Sequence, residues 1–259
     1  MKSSITKLAA IAASLTCASL AYSATGGDHF LALNLGAGST YDVWTDLSTT
    51  GVGFATGFPG SAAWPNGVAS QGSSTGTAEL LKVSNGTGGG PYPASGSIYF
   101  GGFSGDVNNE GGTLAVTSTA IDDLSNVVFQ IEIGEAWTYD FFNHELPALI
   151  YYVQGDSTAY TLTASYSAVI YQQYNGTVTM PSGEESLYNN TYLLQWDFSD
   201  IENVESFNIS FTGVQHSQLY ALQLDQGTVF SAIPEPSTWA AVLGFIVLTS
   251  TIVRRRWNR

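Results

Sequence analysis

The sequence predicts an all-β protein, a two-sheet antiparallel β-sandwich of jelly-roll-like form with an apolar segment at each end. Three observations predict it. Apolar side chains recur at every second residue through much of residues 127–211, as strands with one buried face require. No stretch between residues 25 and 232 joins a sustained 3.6-residue period to helix caps. Clusters of Gly, Ser, Thr and Asn cut the chain at short intervals, and many short strands at close spacing make a sandwich or a barrel.

At the front, Lys2 and Lys7 precede an apolar stretch from Leu8 to Leu20. Ser19-Leu20-Ala21 and Ala21-Tyr22-Ser23 then offer small side chains to a signal peptidase, so residues 1–23 read as a signal peptide cleaved after Ala21 or Ser23. Cys17 follows Ser14, Leu15 and Thr16, without the leucine expected three before a lipidated cysteine, so no lipid anchor is expected. With Cys17 removed, the exported domain of residues 24–232 has no cysteine for disulfides, thiol catalysis or thiolate metal sites. It must cohere by core burial.

Residues 25–120 read as short extended pieces, with strands expected at Leu31–Leu35, Glu79–Val83, Ser97–Phe100 and Thr113–Thr117. Further on, Val127, Phe129, Ile131 and Ile133 alternate with Val128, Gln130 and Glu132, predicting a half-buried strand. From Tyr160 to Ile170 the even positions Tyr160, Leu162, Ala164, Tyr166, Ala168 and Ile170 face one way, with Thr161, Thr163, Ser165 and Ser167 opposite, as in a one-sided antiparallel strand. Leu149 to Val153 precedes it across Gln154-Gly155-Asp156-Ser157, a hairpin turn sequence. Tyr192, Leu194, Trp196 and Phe198 form another apolar face, and Phe207, Ile209 and Phe211 the next.

The tail runs Pro234-Glu235-Pro236-Ser237-Thr238, an apolar stretch from Trp239 to Val253, then Arg254, Arg255, Arg256 and Arg259. Sixteen residues, Thr238 to Val253, give about 24 Å of helix, a short single transmembrane helix. The arginines behind it act as a membrane stop and stay in the cytoplasm by the positive-inside bias, so the chain between the two ends is exported. Pro-Glu-Pro directly before a short span and an arginine cluster resembles the PEP-CTERM sorting signal of Gram-negative bacteria, over residues 233–259. The resemblance implies recognition by an exosortase, with Pro234, Glu235 and Pro236 as substrate residues for processing, an inner-membrane intermediate, and delivery to the cell envelope or beyond. It also implies association with exopolysaccharide. It says nothing of residues 25–232.

Charge sorts the partners of the delivered domain. Six of the seven basic residues belong to the two ends, leaving Lys82, whereas 20 of the 21 acids remain, a formal net charge of −19. Nucleic acid and anionic lipid headgroups are poor partners for such a surface, and no nucleic-acid partner is expected. Asp122-Asp123 and Glu184-Glu185 are the nearest approaches to a calcium loop, but neither has the Asp-x-Asp-x-Asp-Gly spacing that crowds oxygens round one ion, so a solvated acidic surface with no cofactor is expected, with calcium as the alternative.

For catalysis the best candidate is Glu132-Ile133-Gly134-Glu135-Ala136-Trp137, where jelly-roll glycoside hydrolases can carry paired carboxylates on a strand. Paired carboxylates on one strand must be separated by an even number to share a face, and Glu132 and Glu135 are three apart. Glu132 is expected on the solvent face and Glu135 in a turn after the strand. His29, His144 and His216 are too scattered for a metal site, and no Gly-x-Ser-x-Gly elbow occurs. The chain is therefore read as a non-enzyme. Tyr151-Tyr152 and Tyr171 to Tyr174 offer the alternative of sugar stacking on exposed aromatics.

Overall fold

The computed structural model describes residues 27–53, 64–102, 107–180 and 183–233. Its strands form two antiparallel sheets. One sheet has seven strands, in the order β10 (Tyr166–Met180), β11 (Gly183–Asp197), β7 (Asn126–Gly134), β13 (Gln218–Gly227), β5 (Ile98–Gly101) and β4 (Gly89–Pro93), with β1 (Thr40–Trp44) also paired to β13. The other runs β2 (Val68–Ala69), β3 (Glu79–Asn85), β6 (Glu110–Thr119), β12 (Val204–Val214), β8 (Ala148–Val153) and β9 (Tyr160–Leu162). Among the described residues there is no α-helix, only a 3-10 turn at Phe142–His144, and no helix is long and apolar enough to cross a membrane.

Both sheets face one core, so the arrangement is sandwich-like. Phe129, Ile131, Leu194, Trp196, Leu222 and Leu224 from the larger sheet meet Leu80, Leu114, Val116, Phe207, Ile209 and Phe211 from the smaller. Each such side chain stabilises the fold by about 1.5–3 kcal/mol relative to exposure, which is how a domain without cysteine holds together.

Most expected strands are present, and three expectations are corrected. Leu31–Leu35 is not a strand. It is a strap over the outer face of the larger sheet, where the fully buried Gln130 accepts from Leu31 N–H (2.6 Å) and donates to the Leu31 carbonyl (3.0 Å). Those are the two bonds an antiparallel partner residue would supply, so one side chain replaces a ladder. Because the strap packs Leu31, Leu33 and Leu35 on Val128 and Leu193, β7 is buried on both faces rather than half-buried.

The stretch Tyr160–Ile170 is likewise not one strand. Its alternation of half-buried even and exposed odd positions holds from Thr161 to Ile170, yet β9 belongs to the smaller sheet and β10 to the larger. The chain changes sheets at Thr163–Ser165 without changing the side it turns to the interior. The turn expected after Val153 is present, with Asp156 N–H donating to the Val153 carbonyl and Gly155 at φ 76°, a value that suits glycine. The expected processing and stop residues, Ala21, Ser23, Pro234, Glu235, Pro236, Arg254, Arg255 and Arg256, lie outside the described residues.

Candidate functional site

One end of the sandwich is built from the β7–β8 loop (residues 135–147), the β12–β13 turn and the first residues of β6. Eight non-glycine residues with positive φ occur among the described residues, and six are here: Asn108, Trp137, Thr138, Asn143, His144 and His216. Trp137 and Thr138 occupy the centre of a tight turn closed by Ala136 and Tyr139, which exchange N–H···O bonds of 2.7 and 3.0 Å. Such a turn normally takes Asn-Gly, and a bulky residue there costs about 1–2 kcal/mol. Asn108 and Asn143 hold each other by two bonds of 2.8 and 3.0 Å, while the Trp137 ring meets the edge of His216 at 4.8 Å. Strain gathered in one loop marks a place where geometry is maintained against local preference.

Under that loop lies a carboxylate pair. The Asn190 amide, buried on the inner face of β11, donates from Nδ2 to Glu135 Oε1 and to Asp140 Oδ2, both at 2.9 Å. The two oxygens are therefore at most about 5.8 Å apart, within the range of carboxylate pairs that act on one glycosidic bond. Each oxygen already has a donor. Glu135 Oε2 accepts the Tyr188 N–H (2.9 Å), Asp140 Oδ1 the Phe141 N–H (2.7 Å), and Asp140 Oδ2 also the Tyr192 hydroxyl (2.6 Å). Burial pushes the Glu135 carboxyl above its usual range, the Asn190 and Tyr188 donors pull it back, and the Asp140 charge raises it again. Burial, with Asp140 beside it, pushes the Tyr192 hydroxyl well up, so it stays a donor. A pair held in this way ties the loop to β11.

Beyond this network the same face of the β10–β11 hairpin runs out past the core. Gln172 pairs with Asn190 and donates to its Oδ1 at 2.9 Å, and two residues further along Tyr174 pairs with Tyr188, the rings edge to face at 6.1 Å. Tyr174 is 59% exposed, the most exposed aromatic among the described residues. Nearby on the loop, Tyr139 stacks on the exposed His144 at 4.2 Å. The result is a ledge of aromatic faces and amides beside a rigid loop.

The sequence-chosen residues are mostly dispersed. Glu132 is on the outer face, as expected, but half-buried, where it accepts the Gly27 N–H at 2.7 Å. His29 stacks on Tyr171, and Tyr151 on Tyr160. Asp122 and Asp123 line an open pocket of about 870 Å³ at the opposite end, with Glu202 and Glu205. Among the described residues no three His, Cys, Asp or Glu side chains converge as a metal cage would require. Asp140, Asn190 and Tyr188 are not among the residues the sequence suggests for a site, and Tyr192 is expected there only as part of an apolar face. Asn190 had a readable signal, an amide at the buried parity of Tyr192, Leu194 and Trp196.

Compared with known proteins, the chain matches no family model, no curated protein and no solved structure.

Proposed function

We propose that this chain is an exported cell-envelope or extracellular-matrix protein. Its signal peptide, residues 1–23, directs export, and an exosortase processes it at Pro234-Glu235-Pro236 while Arg254, Arg255 and Arg256 hold the tail in the cytoplasm. The order of motif, apolar run and arginines in residues 234–259 carries this reading. The delivered domain is a jelly-roll-like sandwich, a form supported by the chain crossing between sheets at β1–β2, β3–β4, β5–β6, β6–β7, β7–β8, β9–β10, β11–β12 and β12–β13. We read it as non-catalytic, a reading supported by the internal donors that hold every oxygen of Glu135 and Asp140. Grafting residues 234–259 onto an unrelated exported protein tests the signal: processing of the graft in a host that carries an exosortase is expected, and an uncut graft sinks the proposal.

A second reading is favoured by Tyr174, exposed beside Tyr188 and the Gln172 amide. Aromatic faces flanked by amides suit the apolar faces and hydroxyls of a neutral saccharide, and a domain of formal charge −19 disfavours an anionic one. A glycan array probed with residues 24–233, with calcium and with a chelator, is expected to show neutral glycans whose binding falls about tenfold in Tyr174→Ala. An empty array in both conditions removes this reading and leaves a structural envelope protein.

A further inference from the structure

The chain is held down until the residue before Pro234. Gln195, fully buried on the outer face of β11, donates from Nε2 to the Ser231 carbonyl (2.9 Å) and accepts the Ile233 N–H at Oε1 (3.1 Å). Its Nε2 also donates to Asn126 Oδ1 at 3.0 Å, which fixes the amide from behind. The Ile233 side chain packs with Leu35, Val128 and Leu193, the cluster that also seats the N-terminal strap. A following proline restricts Ile233 further to extended backbone values. Five residues, 234–238, then separate Ile233 from the apolar run that begins at Trp239, a reach of no more than about 20 Å.

We propose that this clamp sets where the chain is processed, with Gln195 as a positioning residue: the bond broken lies C-terminal to Ile233, within residues 234–238. The proposal rests on the reading of residues 234–259 as a sorting signal. An enzyme that cuts an extended chain grips residues on both sides of the scissile bond. Gripping Ser231–Ile233 would require breaking both Gln195 bonds and unpacking Ile233, the residues that those bonds and that packing hold. In the step one peptide bond breaks, its acyl carbon passes to water or to an acceptor amine, and the released tail leaves with a protonated amine.

Intact mass of the full chain, expressed with its processing enzyme and recovered from the envelope, tests this. A single C-terminus between Pro234 and Thr238 is expected. In Gln195→Ala the fraction cut at or before Ile233 should rise at least tenfold. Gln195→Glu, which keeps the acceptor for Ile233 but loses the donor to Ser231, should fall between. Asn190→Ala, which weakens the far end of β11, should keep the single wild-type terminus. A wild-type terminus at or before Ile233 overturns the clamp but not the sorting signal, and a tail retained to Arg259 overturns both. Equal heterogeneity in Asn190→Ala and Gln195→Ala would show that domain stability, not the clamp, sets the position.

Discussion

Asp225 lies beneath the N-terminal strap, 6% exposed, where burial raises its carboxyl from 3.8 to about 7 against the Gln223 and Gln130 donors, with the nearby Asp42 charge adding to the rise. The folded state thus keeps a proton that the unfolded chain releases above pH 3.8, so this group's stabilisation is complete below 3.8 and is lost as pH rises through 7. The loss is at most about 4 kcal/mol. Asp225→Asn should flatten the fall in urea-unfolding free energy between pH 4 and 8; an unchanged slope would mean another group titrates there. Asn190 acts in the opposite sense, by satisfying buried charge. Asn190→Ala removes the donor shared by Glu135 and Asp140 and should destabilise by about 2–4 kcal/mol, read by the same unfolding measurement. A change below 0.5 kcal/mol, on the order of a surface substitution, would show that water replaces the amide without penalty.

At the scale of elements, what was legible followed from period-two patterning. β7, β12 and the second half of β11 are runs whose alternation survives in one sequence, whereas the first half of β11, from Gly183, has no such pattern and was not expected. Leu31–Leu35 has the same alternation yet is a strap, because parity reports which side chains are buried and not what satisfies the backbone. Tyr160–Ile170 fails similarly, since a strand that crosses between sheets keeps its inward parity. β1 is short and places Asp42 at a buried position, and β4 is rich in glycine and proline, so little pattern marks them. Of the candidate site, the tyrosines of β10 were legible, whereas the Glu135–Asp140 pair depends on a loop that folds back and on Asn190, 50 residues from Asp140. For the strap, Gln130→Ala should raise the amide exchange rate at Leu31 at least tenfold while the centre of β12 stays protected. Equal exchange in both proteins would show that the leucines hold the strap without the amide.

For the whole molecule, the Leu31–Leu35 strap and the Gln195-held segment at Ser231–Ile233 give the domain a direction. Both described ends, Gly27 and Ile233, lie on the outer face of the larger sheet, and Ile233 is held at Gln195, six residues along β11 from Asn189 and so roughly 20 Å from the strained loop. A domain tethered through Ile233 therefore carries the Trp137 and Tyr174 end away from its tether. The surface around it is one of unbalanced charge, 20 acids to one lysine, which repels itself in the compact state. Raising sodium chloride from about 10 to 150 mM shortens the screening length from roughly 30 to 8 Å and should raise Tm; a fall in Tm would show that favourable ion pairs outweigh the repulsion. The claim that joins these features is delivery through the C-terminal signal, and cell fractionation of Pro234→Ala/Pro236→Ala tests it most directly. The double variant should keep its tail and remain in the inner membrane while the wild-type chain is released from it. Equal release of the two would contradict the account.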